Sequence, residues 1–190
     1  KNISRDLWKA RTDKAPITNP SEIYPEITVK DAYLLQNELL SVALSNGEII
    51  AGGKIGLSSK ANQKKFGIDT PIYGHLFASM ILPEDEPVDT SKMFSPVVEP
   101  EICFLLGEEL KGPGVNIASV LSATRGVLPA IEIADSRLKK RSTRVEDNIL
   151  DNSGASIVLI GGVITPVEDM DLRLIGMVLE QNGSVIATGA

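Results

Sequence analysis

Cysteine and histidine are almost missing: the 190 residues hold one of each, Cys103 and His75. A single cysteine excludes an internal disulfide and fits a reducing, cytoplasmic setting. Cys103 stands in an apolar run, which suits packing rather than nucleophilic work. A single histidine argues against a multi-histidine metal site or a Ser-His-Asp triad within this sequence. His75 is expected to pack or to hydrogen-bond. Positive charge is in deficit, with 19 Lys and Arg against 25 Asp and Glu and a net charge of −6. That balance argues against nucleic acid or an anionic membrane as the main partner. Long apolar runs are lacking too. The longest, near Ile157–Ile164, is far too short to span a bilayer and contains two glycines. No signal peptide, internal repeat or G-x-x-x-x-G-K-[ST] loop is visible.

What is present is an ordinary globular composition, 43% hydrophobic and 23% charged. The length suits one domain with a sizeable core. The only basic cluster, Arg137 to Arg144, reads as a solvated loop or a cover over an anionic site. The chain starts at Lys1 without a methionine and stops at Ala190 directly after a strand pattern. Both ends look cut, and C-terminal strands are expected beyond them.

The central stretch is Pro96-Val97-Val98-Glu99-Pro100-Glu101-Ile102-Cys103-Phe104-Leu105-Leu106. It reads as a buried strand with two carboxylates inside it. Residues i and i+2 of a strand share a face, so Glu99 and Glu101 point the same way. Carboxylates in apolar surroundings are costly unless paired, and neighbouring ones repel. A third, Glu132, stands in Val127-Leu128-Pro129-Ala130-Ile131-Glu132-Ile133-Ala134. Two readings stay open: each Glu is exposed on an edge strand or paired with Lys or Arg, or the three are ligands of a hard cation such as Mg²⁺.

Along the chain, residues 4–13 pattern as an amphipathic helix with Ser4 as a possible cap. Pro16 to Pro25 reads as a linker. Thr28-Val29-Lys30-Asp31 is a near capping box opening a helix with Ala32, Leu35, Leu39 and Val42 inward, stopped at Asn46-Gly47. Ile49 to Leu57 is a strand thinned by glycine, which admits close approach of backbone or ligand around Lys54. Unaided, Lys54 reads as a solvent-facing strand residue. A short helix covers 60–65, and Thr70 to Leu76 is a turn leading into strand. Asn116 can cap a helix over 117–124 with Ile117, Val120 and Leu121 inward. Asp151-Asn152-Ser153-Gly154 is a turn before a strand at 157–160. Leu172–Leu179 and Val185–Thr188 are strands joined by the hairpin signal Asn182-Gly183.

Several stretches taken in order resemble one family. They are Pro25 to Tyr33, Lys54-Ile55-Gly56-Leu57-Ser58-Ser59-Lys60, Gly67 to Gly74, Glu99-Pro100-Glu101-Ile102, and Leu128 to Arg137. The set is similar to the 2-keto-4-pentenoate hydratase / 4-oxalocrotonate decarboxylase family, within the fumarylacetoacetate hydrolase superfamily. The resemblance covers nearly the whole chain. It implies an α+β fold: a rolled, mostly antiparallel sheet of the fumarylacetoacetase C-terminal type, with N-terminal and flanking helices. The expected organisation is an N-terminal helical segment over 1–48 and a metal-binding β-rich core over 49–190, one domain overall.

The resemblance also implies a lyase of aromatic meta-cleavage degradation. Its metal, Mg²⁺ or Mn²⁺, is carried over to Glu99, Glu101 and Glu132. Lys54 matches the active-site lysine, and Leu57, Ile72 and Ser153 are expected to line the substrate. The implied substrate is a small 2-oxo or 2-hydroxy acid, and the expected assembly is a homo-oligomer, with a hydratase–decarboxylase complex as a further partner. Pro100 replaces the usual alanine between two ligands. Asp151-Asn152-Ser153-Gly154 departs from Asp-Asn-Ala-Ser, so glycine stands where relatives have serine. Hydratases of the family commonly carry an acid at the position of Ile72, whereas decarboxylases read as this chain does. The preferred reading is therefore 4-oxalocrotonate (2-oxohex-3-enedioate) decarboxylase. The alternatives are 2-hydroxypenta-2,4-dienoate hydratase and a non-catalytic member of the family.

Overall fold

A computed structural model describes residues 2–168 and 170–189. The chain ends singled out above, Lys1 and Ala190, lie outside them, as does Asp169. The chain forms two compact units. The first comprises Lys1–Leu82, Pro87–Val98 and Ile133–Val158, and the second Pro83–Glu86, Glu99–Glu132 and Leu159–Ala190.

The first unit opens with α1 (Ile3–Asp13), whose N-cap is Asn2 rather than Ser4. Ser4 is fully buried and donates its hydroxyl to the Leu35 carbonyl at 2.9 Å. The stretch read as a linker holds a helical turn, α2 (Pro20–Ile23), started by proline at its first position. Before it, Ile17 bridges Leu138 in parallel, so the linker reading is wrong there. Helix α3 (Val29–Ser45) has the full capping box, with Thr28 and Asp31 exchanging bonds. Such a cap is worth about 1 kcal/mol. Its buried stripe is Ala32, Gln36, Leu39 and Ala43. Leu35 and Val42, expected inward, are only half-buried.

Strand β1 (Ile50–Gly56) pairs antiparallel with β2 (Ile72–Phe77). Between them α4 (Lys60–Phe66) ends at Gly67, whose φ of 68° is the left-handed cap glycine tolerates. Helix α6 (Val145–Leu150) packs on α3 and had no clear sequence signal. The core of this unit gathers Leu7, Ile27, Ala32, Leu39, Ile72, Leu138, Val145, Ile149 and Leu150.

A four-stranded sheet has the order β3-β6-β5-β4, with β3 Ile81–Pro83, β4 Val97–Leu106, β5 Thr124–Ala134 and β6 Ile157–Ile160. Strand β4 ends the row, which corrects the expectation of a buried strand. Val98, Phe104 and Leu106 are all exposed. An end position also accommodates Pro100, which has no amide to donate to a neighbour.

In the second unit, α5 (Ile117–Ala123) carries a capping box between Asn116 and Ser119. Its expected inward face is corrected: Ile117 is 80% exposed, Leu121 is exposed, and Ala123 is the buried residue. The cap fixes this seven-residue helix, and its apolar spacing does not. Residues 172–174 form a 3-10 turn capped by Asp171, so the strand expected from Leu172 begins only at β7 (Met177–Gln181). β7 pairs antiparallel with β8 (Ser184–Gly189) through Asn182 and Gly183, both at positive φ. That is the backbone a tight two-residue hairpin needs. The fold class is α+β.

Candidate active site

Glu132 is 2% exposed in β5, Glu99 is half-buried and Glu101 is exposed, both in β4. Neighbouring strands carry the three, and the Glu-x-Glu spacing puts two on one face. Their ligand oxygens all lie within 4.8 Å of one another. Like charges at that separation repel by about 3–4 kcal/mol per pair at an effective dielectric near 20. A divalent cation offsets this. The donor set is all carboxylate oxygen, which suits a hard cation such as Mg²⁺. Exposed Glu101 leaves one side of the cluster open, as a catalytic centre needs for substrate oxygens. The residues fit a metal of this kind. Half-buried Cys103 lies on the same strand, and burial pushes its thiol above the usual range, so it is a poor nucleophile or ligand.

The remaining sequence-derived candidates belong to the first unit. Lys54 lies opposite Gly74 and Gly56 opposite Ile72 in the β1–β2 ladder. Facing partners and i, i+2 neighbours share a side, so Lys54, Gly56, Ile72 and Gly74 form one face. The turn at Ser153 lies directly on it. A Cβ on Gly56 would meet Ser153 Oγ at 2.6 Å and Ile72 Cγ1 at 3.2 Å, and one on Gly74 would meet Asn152 O at 2.4 Å. Only glycine allows that approach. Lys54 is half-buried, not freely solvated, and donates its amine to the Ser153 carbonyl at 3.0 Å. Ile72 is 5% exposed and belongs to the core, where its other side borders a groove with Tyr33, Asp69 and Thr70. Leu57 follows β1 at φ 54° and packs against the same core.

The Asn152-Ser153-Gly154 turn is left-handed throughout, with φ of 56°, 53° and 69°. Each such non-glycine residue costs of order 1–3 kcal/mol and persists only where its surroundings hold it. Sequence reading missed what does so here. Arg137, taken as part of a solvated basic loop, is buried. Its Nε donates to Asp151 Oδ1 at 2.6 Å and its Nη1 to the Ala155 carbonyl at 2.8 Å, and its Nη2 donates to the Asp151 carbonyl. Asp151 also accepts from Ser136 Oγ and the Arg137 amide, both at 3.0 Å. The stretch Leu128 to Arg137 was visible as a motif, but the partner of Arg137 fourteen residues on, Asp151, was not. Arg144 is likewise engaged, with Glu146 and the Pro25 and Ile27 carbonyls. Between them Lys139, Lys140 and Arg141 are exposed, so the solvated-loop reading fails at Arg137 and holds at those three.

His75 packs as expected. Its ring meets Tyr73 edge-on at 6.0 Å, and burial holds the imidazole below its usual pKa.

No protein-family model matches the chain. It is 36% identical over 188 residues to 4-oxalocrotonate decarboxylase of Pseudomonas sp. (strain CF600), covering 99% of this chain and 71% of that protein. It is 34% identical over 189 residues to 2-hydroxypent-2,4-dienoate hydratase of Pseudomonas putida, covering 99% of this chain and 85% of that one. The solved 4-oxalocrotonate decarboxylase from Pseudomonas putida G7, complexed with magnesium and adipate, matches with a TM-score of 0.93. It is 33% identical and covers 99% of this chain and 72% of its own. Similarity of this extent to both enzymes in sequence, and to the decarboxylase in backbone, shows that the chain belongs to the lyase family of the 4-oxalocrotonate decarboxylases and 2-hydroxypentadienoate hydratases.

Proposed function

We propose that this chain is a Mg²⁺-dependent 4-oxalocrotonate decarboxylase, built on the rolled sheet of the fumarylacetoacetase C-terminal type. Glu99, Glu101 and Glu132 would hold the metal, and Mn²⁺ suits the same donors. When bound, the ion supplies Lewis-acid charge at the substrate's 2-oxygen. Lys54 pairs with the substrate carboxylate or moves a proton at its Nζ, oriented by the Ser153 carbonyl. Leu57 and Ile72 supply apolar surface, and Ser153 takes the role of the serine that Gly154 replaces.

Ile72 carries the choice of reaction. It shares a face with Lys54, and its side chain abuts Gly56 beside Ser153. An isoleucine has no proton to exchange, so it cannot activate water for addition to an alkene. Loss of CO₂ needs no base at that point. Support also comes from the related decarboxylase, which binds magnesium with adipate, a six-carbon dicarboxylate. The test is full-length protein with Mg²⁺, given 2-oxohex-3-enedioate and 2-hydroxypenta-2,4-dienoate separately, with products identified. CO₂ release from the first without rapid hydration of the second is expected. Efficient hydration of the dienoate replaces this reading with the hydratase one.

A further inference from the structure

We infer that the buried Arg137–Asp151 pair is a positioning device for the Lys54 amine, acting through the left-handed turn Asn152-Ser153-Gly154. This rests on the reading of Lys54 as a catalytic group. Arg137 brackets the turn by donating to the carbonyls at both its ends, Asp151 and Ala155. Its Nε and backbone amide, with Ser136 Oγ, fix the Asp151 carboxylate. The turn between these anchors would not hold its conformation alone, since three successive residues are left-handed. Its far side is pressed onto β1–β2 where Gly56 and Gly74 leave no side chain. The outcome is one carbonyl, that of Ser153, aimed at Lys54 Nζ at 3.0 Å.

A buried ion pair is weak evidence for a stabilising role, because apolar replacements often fold as well or better. A role in placing the turn accounts for why the pair converges on this segment.

The experiment uses full-length protein and the variants Asp151→Asn and Ser136→Ala. Ser136→Ala removes one of the bonds to Asp151, together with the longer one that Ser136 Oγ accepts from the Leu138 amide at 3.3 Å, and keeps the variant set informative if Asp151→Asn fails to fold. The first readout needs no metal or turnover. It is the rate of Lys54 acetylation relative to exposed Lys111, followed by mass spectrometry. Loosening the Ser153–Lys54 hydrogen bond should raise that ratio by about 2- to 10-fold in Asp151→Asn, the scale of one lost hydrogen bond, with a smaller rise in Ser136→Ala. The second readout is kinetic. kcat should fall by up to about 10²-fold, as misplacement of a catalytic group does, while KM changes less. An unchanged acetylation ratio in the folded variants overturns the positioning role. A raised ratio with undiminished kcat upholds the positioning role and instead refutes Lys54 as a catalytic group.

Discussion

Asn152 grips the backbone of His75 from both directions. Its Oδ1 accepts from the His75 amide at 2.7 Å, and its Nδ2 donates to the His75 carbonyl at 2.8 Å. One side-chain amide thus completes the edge of β2 that β1 does not occupy, as a neighbouring strand would. Asn152→Gly keeps the left-handed backbone and loses both bonds. It should cost about 1–3 kcal/mol. Asn152→Ala adds the penalty of a Cβ at positive φ and should cost about 1 kcal/mol more. Urea denaturation measures both. Equal stability of the two variants would show that backbone strain at 152 is negligible.

His75 sets a pH dependence. Burial lowers its folded pKa beneath the unfolded value, and its Nε2 is enclosed without a hydrogen-bond partner among the described residues. Between the folded and unfolded pKa values the unfolded chain binds more protons, so stability rises with pH there. The contribution is complete above about 6.5 and is lost as pH falls toward the depressed folded value. As the sequence's only histidine, it can be isolated by one substitution. Melting of wild type and His75→Gln at pH 7.5, 6 and 5 should show wild type losing ground on acidification. A constant difference would refute it.

Glu132 carries the metal prediction. Glu132→Gln keeps the shape and removes one of three converging charges. Outer-shell changes alone weaken metal sites about 10–100-fold, and loss of a ligand should exceed that. Saturating Mg²⁺ should therefore stabilise wild type, by about 2.7 kcal/mol at a hundred times its Kd, and the variant little. Calorimetric titration with Mg²⁺ or Mn²⁺ checks this. Equal affinities would remove Glu132 from the site.

The convergence of Glu99, Glu101 and Glu132 was legible because its cause is local. Carboxylates inside apolar strands are conspicuous, and an i, i+2 pair must share a face. The helix starts at Thr28 and Asn116 were legible for the same reason, since a cap needs only four residues. The burial of β4 was not, because its neighbours in Val97 to Leu106 do not reveal which strand ends a sheet. Arg137 was misread because a guanidinium in a basic run looks solvated until its partner Asp151 is known. The glycines of the stretch Ile49 to Leu57, Gly56 among them, showed only that something approaches closely. The fold supplied what it is, the turn at Ser153.

On the proposed reading Ile72 selects the reaction, and its surroundings sharpen the prediction. At 5% exposure it is part of the core, so Ile72→Asp loses apolar packing and buries an acid. The stability cost should be a few kcal/mol. Burial also raises the pKa of the new carboxyl. A base with pKa nearer neutrality is the better catalyst, and general base catalysis typically supplies 10²–10⁴-fold. Hydration of 2-hydroxypenta-2,4-dienoate should therefore rise in Ile72→Asp, increasingly as pH passes the raised pKa. Decarboxylation should fall, since a second negative charge would lie near the leaving carboxylate. Ile72→Asn separates chemistry from damage. It has nearly the same size and similar cost but no proton to exchange, so it should lose decarboxylation without gaining hydration. A gain in both variants would mean that space rather than a base admits water, and a gain in neither would remove Ile72 from the choice between the two reactions.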